Sequence, residues 1–251
     1  MPLIPPELSL YAGWGLIALS FVTSAITAVL SIGGGLTMLA ALAAVAPAAA
    51  IIPVHGAVQF GSNVSRVLLL RRSVSWPTAA VFSVGSVAGV AIGGLLVVQL
   101  PADTLRIILG AFIIYSMWGP TRLQLPTTGA ATLLAGGVVT SFLSMFVGAA
   151  GPFLASVLAP RMHDRVAYVA THGMCVLVQH GLKVIVFGVL GFVFWPWLPM
   201  LVMMLVAGFA GTWVGTRILH RLPETTFRWI LKTILTLVAV YLLVTATGLF
   251  A

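Results

Sequence analysis

Polar side chains at helical spacing interrupt an otherwise apolar segment between residues 53 and 66. At about 100° per residue they fall within one sector roughly 100° wide. The stripe consists of His55, Gln59, Ser62, Asn63 and Arg66. A guanidinium, an imidazole and several uncharged hydrogen-bonding groups on one face could together bind a small polar or charged molecule. The spacing therefore predicts a binding surface along one helix.

A second polar stripe follows at a constant distance along the chain. Its members lie 117 positions after their counterparts and are His172, Gln179, His180 and Lys183. Taken alone, Arg66 and Lys183 could extend to the nearest aqueous surface, and lone histidines are commonly hydrogen-bonded core residues. The recurrence favours a functional role, because a packing accident has no reason to repeat one polar face.

The composition places both stripes inside a membrane. Of 251 residues, 61% are hydrophobic and 6% are charged, whereas a soluble domain has roughly a quarter of its residues charged. A bilayer core of about 30 Å needs about 20 apolar residues per helix, and such stretches follow one another along the chain. We therefore expect one all-α polytopic membrane domain over residues 1–251, in contact with the lipid bilayer.

The chain is predicted to contain two copies of one unit, at 13–118 and 129–249. The same offset of 117 aligns the tripeptide at 22–24 with that at 139–141, both Val-Thr-Ser. Each copy is predicted to form a broken-helix hairpin followed by three transmembrane helices. The hairpins are expected at 13–46 and 129–159, and the helices at 52–70, 76–98, 104–117, 166–188, 197–219 and 227–247.

Charge between the apolar stretches predicts how the two copies are oriented. The net charge is +8, and the positive-inside rule explains it better than nucleic-acid binding, because most basic residues lie in short breaks between helices. Arg71 and Arg72 follow the first long helix of the first copy, while the equivalent break at 188–195 is uncharged. The copies are therefore predicted to be inverted, as in many secondary transporters whose substrate site lies near the midplane.

Glycine-rich turns are expected to break the first helix of each hairpin. They contain Gly33, Gly34 and Gly35 in the first copy and Gly151 in the second. A helix that begins inside the membrane presents unpaired N–H groups and about half a unit of positive charge, which attracts anions. We expect such helices to begin at Leu36 and Pro152. Close helix packing is the alternative role for these glycines.

The positions of the acidic residues predict the sign of the substrate's charge. The chain has only four, Glu7, Asp103, Asp164 and Glu224, and all lie in predicted loops or near the terminus. A cation carrier would need a carboxylate inside the membrane. Cys175 is the single cysteine, and three histidines on two helices make a weak metal site. We therefore expect a small anionic substrate, with no cofactor and no metal.

These residues resemble the sulfite exporter TauE/SafE family of membrane permeases. The resemblance rests on the glycine run at 33–35, on the stripe from His55 to Arg66 and on its echo from His172 to Lys183. The second hairpin departs from the usual glycine run. The resemblance implies a multi-pass permease of the cell inner membrane that carries sulfite, sulfonated organic acids or related anions.

Two other functions stay open at this stage. An anion channel would use the same basic stripes without alternating access. An intramembrane enzyme is less favoured, because no Asp or Glu within the membrane could orient a histidine base. The sequence also leaves open whether the chain assembles into a homo-oligomer.

Overall fold

The structure is a computed structural model that describes residues 2–30, 33–97, 101–119, 129–148, 151–158, 161–162, 164–218 and 224–246. Ten α-helices and no strands occur within these ranges. Those in the first predicted copy are α1 (Leu10–Leu30), α2 (Gly34–Val45), α3 (Ala48–Leu70), α4 (Trp76–Val97) and α5 (Ala102–Trp118). Those in the second predicted copy are α6 (Ala130–Val147), α7 (Gly151–Leu158), α8 (Arg165–Val189), α9 (Leu198–Ile218) and α10 (Glu224–Ala246).

Helix length and composition confirm the predicted all-α polytopic membrane fold. Within the described residues, five helices are long and apolar enough to cross a membrane, namely α1, α4, α6, α8 and α9. Helix α3 has 23 residues, and the polar stripe makes it less apolar than these five. The 12 residues of α2 and the 8 of α7 span only about 18 Å and 12 Å. Neither can cross a core of about 30 Å alone.

The two hairpins break where the backbone turns left-handed. Gly33, before α2, has a φ of 106°, and Gly148, after α6, has a φ of 72°. Only glycine adopts such angles without steric cost. Helix α2 begins at Gly34, two residues earlier than expected, and α7 begins at Gly151 rather than at Pro152. The glycine run is therefore partly helical, and the break is tighter than the sequence suggested.

The four main helix contacts join one half of the chain to the other. Helix α4 packs along α6, α9 along α1, α3 against α8, and α5 against α10. Glycines bring two of these pairs close together. Gly85 and Gly89 lie against the backbone of α6, and Gly211 and Gly215 lie against the backbone of α1. Small residues allow such approach in membranes, where packing rather than the hydrophobic effect holds helices together.

The outer surface of the helices is apolar, as expected for contact with lipid. Leu95 is 74% exposed and Val189 is 81% exposed. Several large aromatic side chains at helix ends are also exposed: Trp76, Trp118, Trp195 and Trp229. Tryptophan is enriched at the membrane interfaces. This surface leaves the polar stripes as the principal hydrophilic feature of the interior.

Candidate functional site

The packing of α3 against α8 brings the two polar stripes together inside the protein. Every predicted stripe residue is buried, with no more than 5% of its surface exposed: His55, Gln59, Ser62, Asn63, Arg66, His172, Gln179, His180 and Lys183. Arg66 is 1% exposed and Lys183 is fully buried, so neither cation extends to an aqueous surface. This burial does not fit the alternative in which the two cations extend to the nearest aqueous surface, and their role in binding stays a prediction.

In the first copy, His55 connects the stripe to the hairpin. Its Nε2 lies 2.9 Å from the carbonyl oxygen of Gly35. Because a carbonyl only accepts, Nε2 carries the proton and donates. The amide nitrogen of Gln59 lies 3.4 Å from the same ring nitrogen, and Asn63 Nδ2 donates to the carbonyl oxygen of Gln59 at 2.8 Å. His55 and Gly35 thereby hold the start of α2 against α3.

In the second copy, Gln179 connects the stripe to α6. Its amide nitrogen donates to Thr140 Oγ1 at 2.8 Å and to Ser141 Oγ at 3.0 Å. The corresponding contact in the first copy joins Ser62 Oγ and Ser24 Oγ at 3.0 Å. We did not predict that Ser24, Thr140 and Ser141 would contact the site. The Val-Thr-Ser repeat that contains them was the available signal.

Each buried cation contacts a glycine in the opposite half of the chain. A Cβ atom placed on Gly173 would be 3.1 Å from Cδ of Arg66, and one on Gly56 would be 3.1 Å from Cδ of Lys183. Both glycines directly follow a stripe histidine, His172 or His55. The His-Gly pairs therefore provide the space through which the long cationic side chains reach across the interface between α3 and α8.

The two cations differ in their hydrogen-bond partners. Lys183 Nζ donates to the carbonyl oxygen of Gly148 at 2.8 Å, at the end of α6 where helix carbonyls carry partial negative charge. In contrast, none of the three guanidinium nitrogens of Arg66 has a hydrogen-bond partner in the described part of the chain. The imidazole of His172 lies close enough to Arg66 to interact with its charge.

Carboxylates do not neutralise these charges in the part of the protein that the structure describes. Glu7, Asp103 and Asp164 are exposed, and the side chain of Glu224 lies outside the described residues. Asp103 pairs with Arg106 at 2.9 Å on the surface, and Asp164 caps α8 by accepting from Ala167 N at 2.6 Å. A buried charge without a partner is costly. An anion entering from solution would supply the missing charge.

The starts of the two short helices border the same region. Gly33 precedes α2 without any side-chain hydrogen bond to cap the helix. His172 interacts with the backbone of Gly151, the first residue of α7. The rings of His55 and His180 meet edge to face with 5.5 Å between centroids. The predicted glycines and histidines are therefore part of one buried, basic region.

Among the described residues, the membrane helices thus enclose a basic region that no carboxylate faces, an arrangement that suits the binding of an anion. One known protein family matches nearly the whole chain. Residues 16–242 match the model of the family Sulfite exporter TauE/SafE, and the chain belongs to this family. It is accordingly a multi-pass membrane transporter of a family associated with sulfite-type anions. No curated protein and no solved structure matches the chain.

Proposed function

We propose that the protein is a secondary carrier of the inner membrane for a small oxyanion, sulfite or an organosulfonate. The observation that carries the proposal is the buried pair Arg66 and Lys183 without a carboxylate partner among the described residues. Arg66 in particular has three nitrogens available to an incoming ligand. A bound oxyanion would accept charge-assisted hydrogen bonds from such a group.

We further propose that the two halves are inverted copies that rock against each other. Several contacts support this, because each has a counterpart when the halves are exchanged. The α4–α6 pair corresponds to α9–α1, and the Ser24–Ser62 contact corresponds to Ser141–Gln179. In inverted-repeat carriers the substrate stays near the midplane while the halves move around it. The interface of α3 and α8 would then be the surface that opens alternately to each side.

The proposal is tested with purified protein in proteoliposomes. Uptake of sulfite, sulfate, thiosulfate, sulfoacetate, taurine and short carboxylates is measured with and without a pH gradient. We expect saturable uptake of sulfite or an organosulfonate, with little uptake of taurine, whose ammonium group would meet the buried cations. Flux that rises linearly with concentration would indicate a channel instead. Absence of uptake for every anion would contradict the proposed function.

A further inference from the structure

The hydrogen-bond donors of the two buried cations are occupied to different degrees, and the less occupied ones are on the Arg66 side. Lys183 Nζ donates to the carbonyl oxygen of Gly148, although Nδ1 of the nearby His180 has no partner among the described residues. On the Arg66 side all three guanidinium nitrogens lack a partner among those residues, and the imidazole of His172 lies between Arg66 and the backbone of Gly151. These two side chains are 1% and 2% exposed, so bulk water does not satisfy them either.

We infer that the substrate's anionic head binds on this side only, in a subsite formed by Arg66, His172 and the start of α7 at Gly151. This inference rests on the proposed function and deepens it. Lys183 is then the cation that holds α6 through Gly148 and is not the first group to bind the anion. The two copies thus have related sequences and different tasks. A buried donor without a partner costs free energy, and a ligand that accepts from both side chains removes that cost.

The donors of this subsite suit an anionic head with three oxygens. A guanidinium presents five N–H groups in a rigid fork, and His172 adds at least one more. Two parallel bonds from the fork engage two oxygens, which leaves a third oxygen for the imidazole or the backbone N–H groups at the start of α7. Sulfite and sulfonates offer three such oxygens on one sulfur, whereas a carboxylate offers two. The subsite therefore favours sulfite and sulfonates over carboxylates.

Two glycine substitutions provide a matched test of which cation binds the anion. Gly173→Ala places a methyl group 3.1 Å from Cδ and 3.8 Å from Nη1 of Arg66, and Gly56→Ala places one 3.1 Å from Cδ of Lys183. The added methyl group therefore lies equally close to Cδ of the cationic side chain in both variants. Binding of sulfite to the full chain in lipid nanodiscs is measured by isothermal titration calorimetry. Thermal unfolding of both variants verifies that they fold.

We expect Gly173→Ala to weaken sulfite binding at least about tenfold, the loss typical of displaced hydrogen bonds to a charged group. Gly56→Ala should weaken sulfite binding clearly less, because the methyl group meets the cation that does not contact the anionic head. Equal weakening by the two substitutions, or weakening by Gly56→Ala alone, would overturn the assignment to Arg66 and leave the proposed function intact. If the wild-type chain binds neither sulfite nor methanesulfonate, the proposed function itself fails.

A second variant covers the case in which Gly173→Ala does not fold. Arg66→Lys keeps the charge and loses the fork, so the preference for methanesulfonate over acetate should fall. A general disturbance of the fold would instead weaken the binding of both anions by the same factor. An unchanged ratio of the two dissociation constants in Arg66→Lys would contradict the three-oxygen subsite.

Discussion

At the scale of single residues, the free energy of the site is governed by burial of positive charge. Arg66 and Lys183 are both buried, and transfer of an unpaired charge from water is strongly unfavourable. Lys183 offsets part of that cost with the Gly148 carbonyl. Arg66 has no such contact within the described residues, and under the proposed function a bound anion would offset its cost.

We predict that Arg66→Ala and Lys183→Ala each reduce anion uptake into proteoliposomes. For Arg66→Ala the loss should be at least about thirtyfold, as for removal of one partner of a buried charge pair. Arg66→Lys should retain part of the activity, because the charge remains while the bidentate geometry is lost. Arg72→Ala is the control, because Arg72 is exposed at the end of α3. If both alanine variants take up anions at the wild-type rate, the buried cations are not part of the proposed pathway.

At the scale of helices and hairpins, the break before α2 depends on the absence of a side chain at Gly34. A Cβ atom there would overlap the carbonyl oxygen of Thr23 and the hydroxyl of Thr27 in α1. Backbone atoms cannot move aside as a flexible side chain can. The hydroxyl of Thr37 also donates to the Gly33 carbonyl at 2.9 Å, which fixes the first turn of α2.

We predict that Gly34→Ala destabilises the protein by about 1–3 kcal/mol, the usual cost of overpacking. For a chain of this size, each kcal/mol lowers the unfolding midpoint by about 2–4 °C. The measurement is thermal unfolding in detergent, followed by intrinsic tryptophan fluorescence. Gly15→Ala in α1 is the matched control, because a Cβ there meets nothing within 4 Å. Equal midpoints for the two variants would show that the hairpin accommodates the methyl group.

A second prediction at this scale concerns the close contact of α4 with α6. Gly89 faces the carbonyl oxygen of Val138, so Gly89→Val should separate the helices and reduce the yield of monodisperse protein. Val87→Ile on the same helix is the control, because Val87 is 55% exposed and faces lipid. Fluorescence-detected size-exclusion chromatography compares the two variants. A monodisperse Gly89→Val protein at wild-type yield would contradict the role of this glycine.

The helices and stripes were predictable because both depend on local sequence. The lengths of the apolar stretches predicted the long helices, and the helical spacing of the polar residues predicted the polar faces of α3 and α8. The pairing of α4 with α6 and of α9 with α1 was not predictable, since it depends on contacts between segments far apart in the chain. For the same reason the sequence did not indicate that Gly148 would accept a hydrogen bond from Lys183, or that Arg66 would have no partner within the ranges that the structure describes.

At the scale of the whole molecule, the distribution of charge has one exception to the predicted orientation. If the positive-inside rule places the arginine-rich breaks between helices on the cytoplasmic side, Arg106, at the start of α5, is left on the outer side. Its guanidinium pairs with Asp103 at 2.9 Å. Both side chains are at least partly exposed, so the pair contributes little stability. It does offset the positive charge of Arg106 near the outer surface, which reduces the conflict with the positive-inside rule.

We predict that the turn after α3 and the turn after α8 face opposite sides of the membrane. These turns occupy equivalent positions in the two predicted copies, and only the first carries arginines. Ser73 lies in the first turn, and Val193, in the second, is 64% exposed. Single cysteines at these positions, in a Cys175→Ser background, are treated with a membrane-impermeant maleimide. In intact cells Val193→Cys should react, whereas Ser73→Cys should react only after permeabilisation.

Cys175 is fully buried, and its removal leaves the introduced cysteine as the only thiol. If both cysteines react from the same side, the copies are not inverted, and rocking of inverted halves cannot be the transport mechanism.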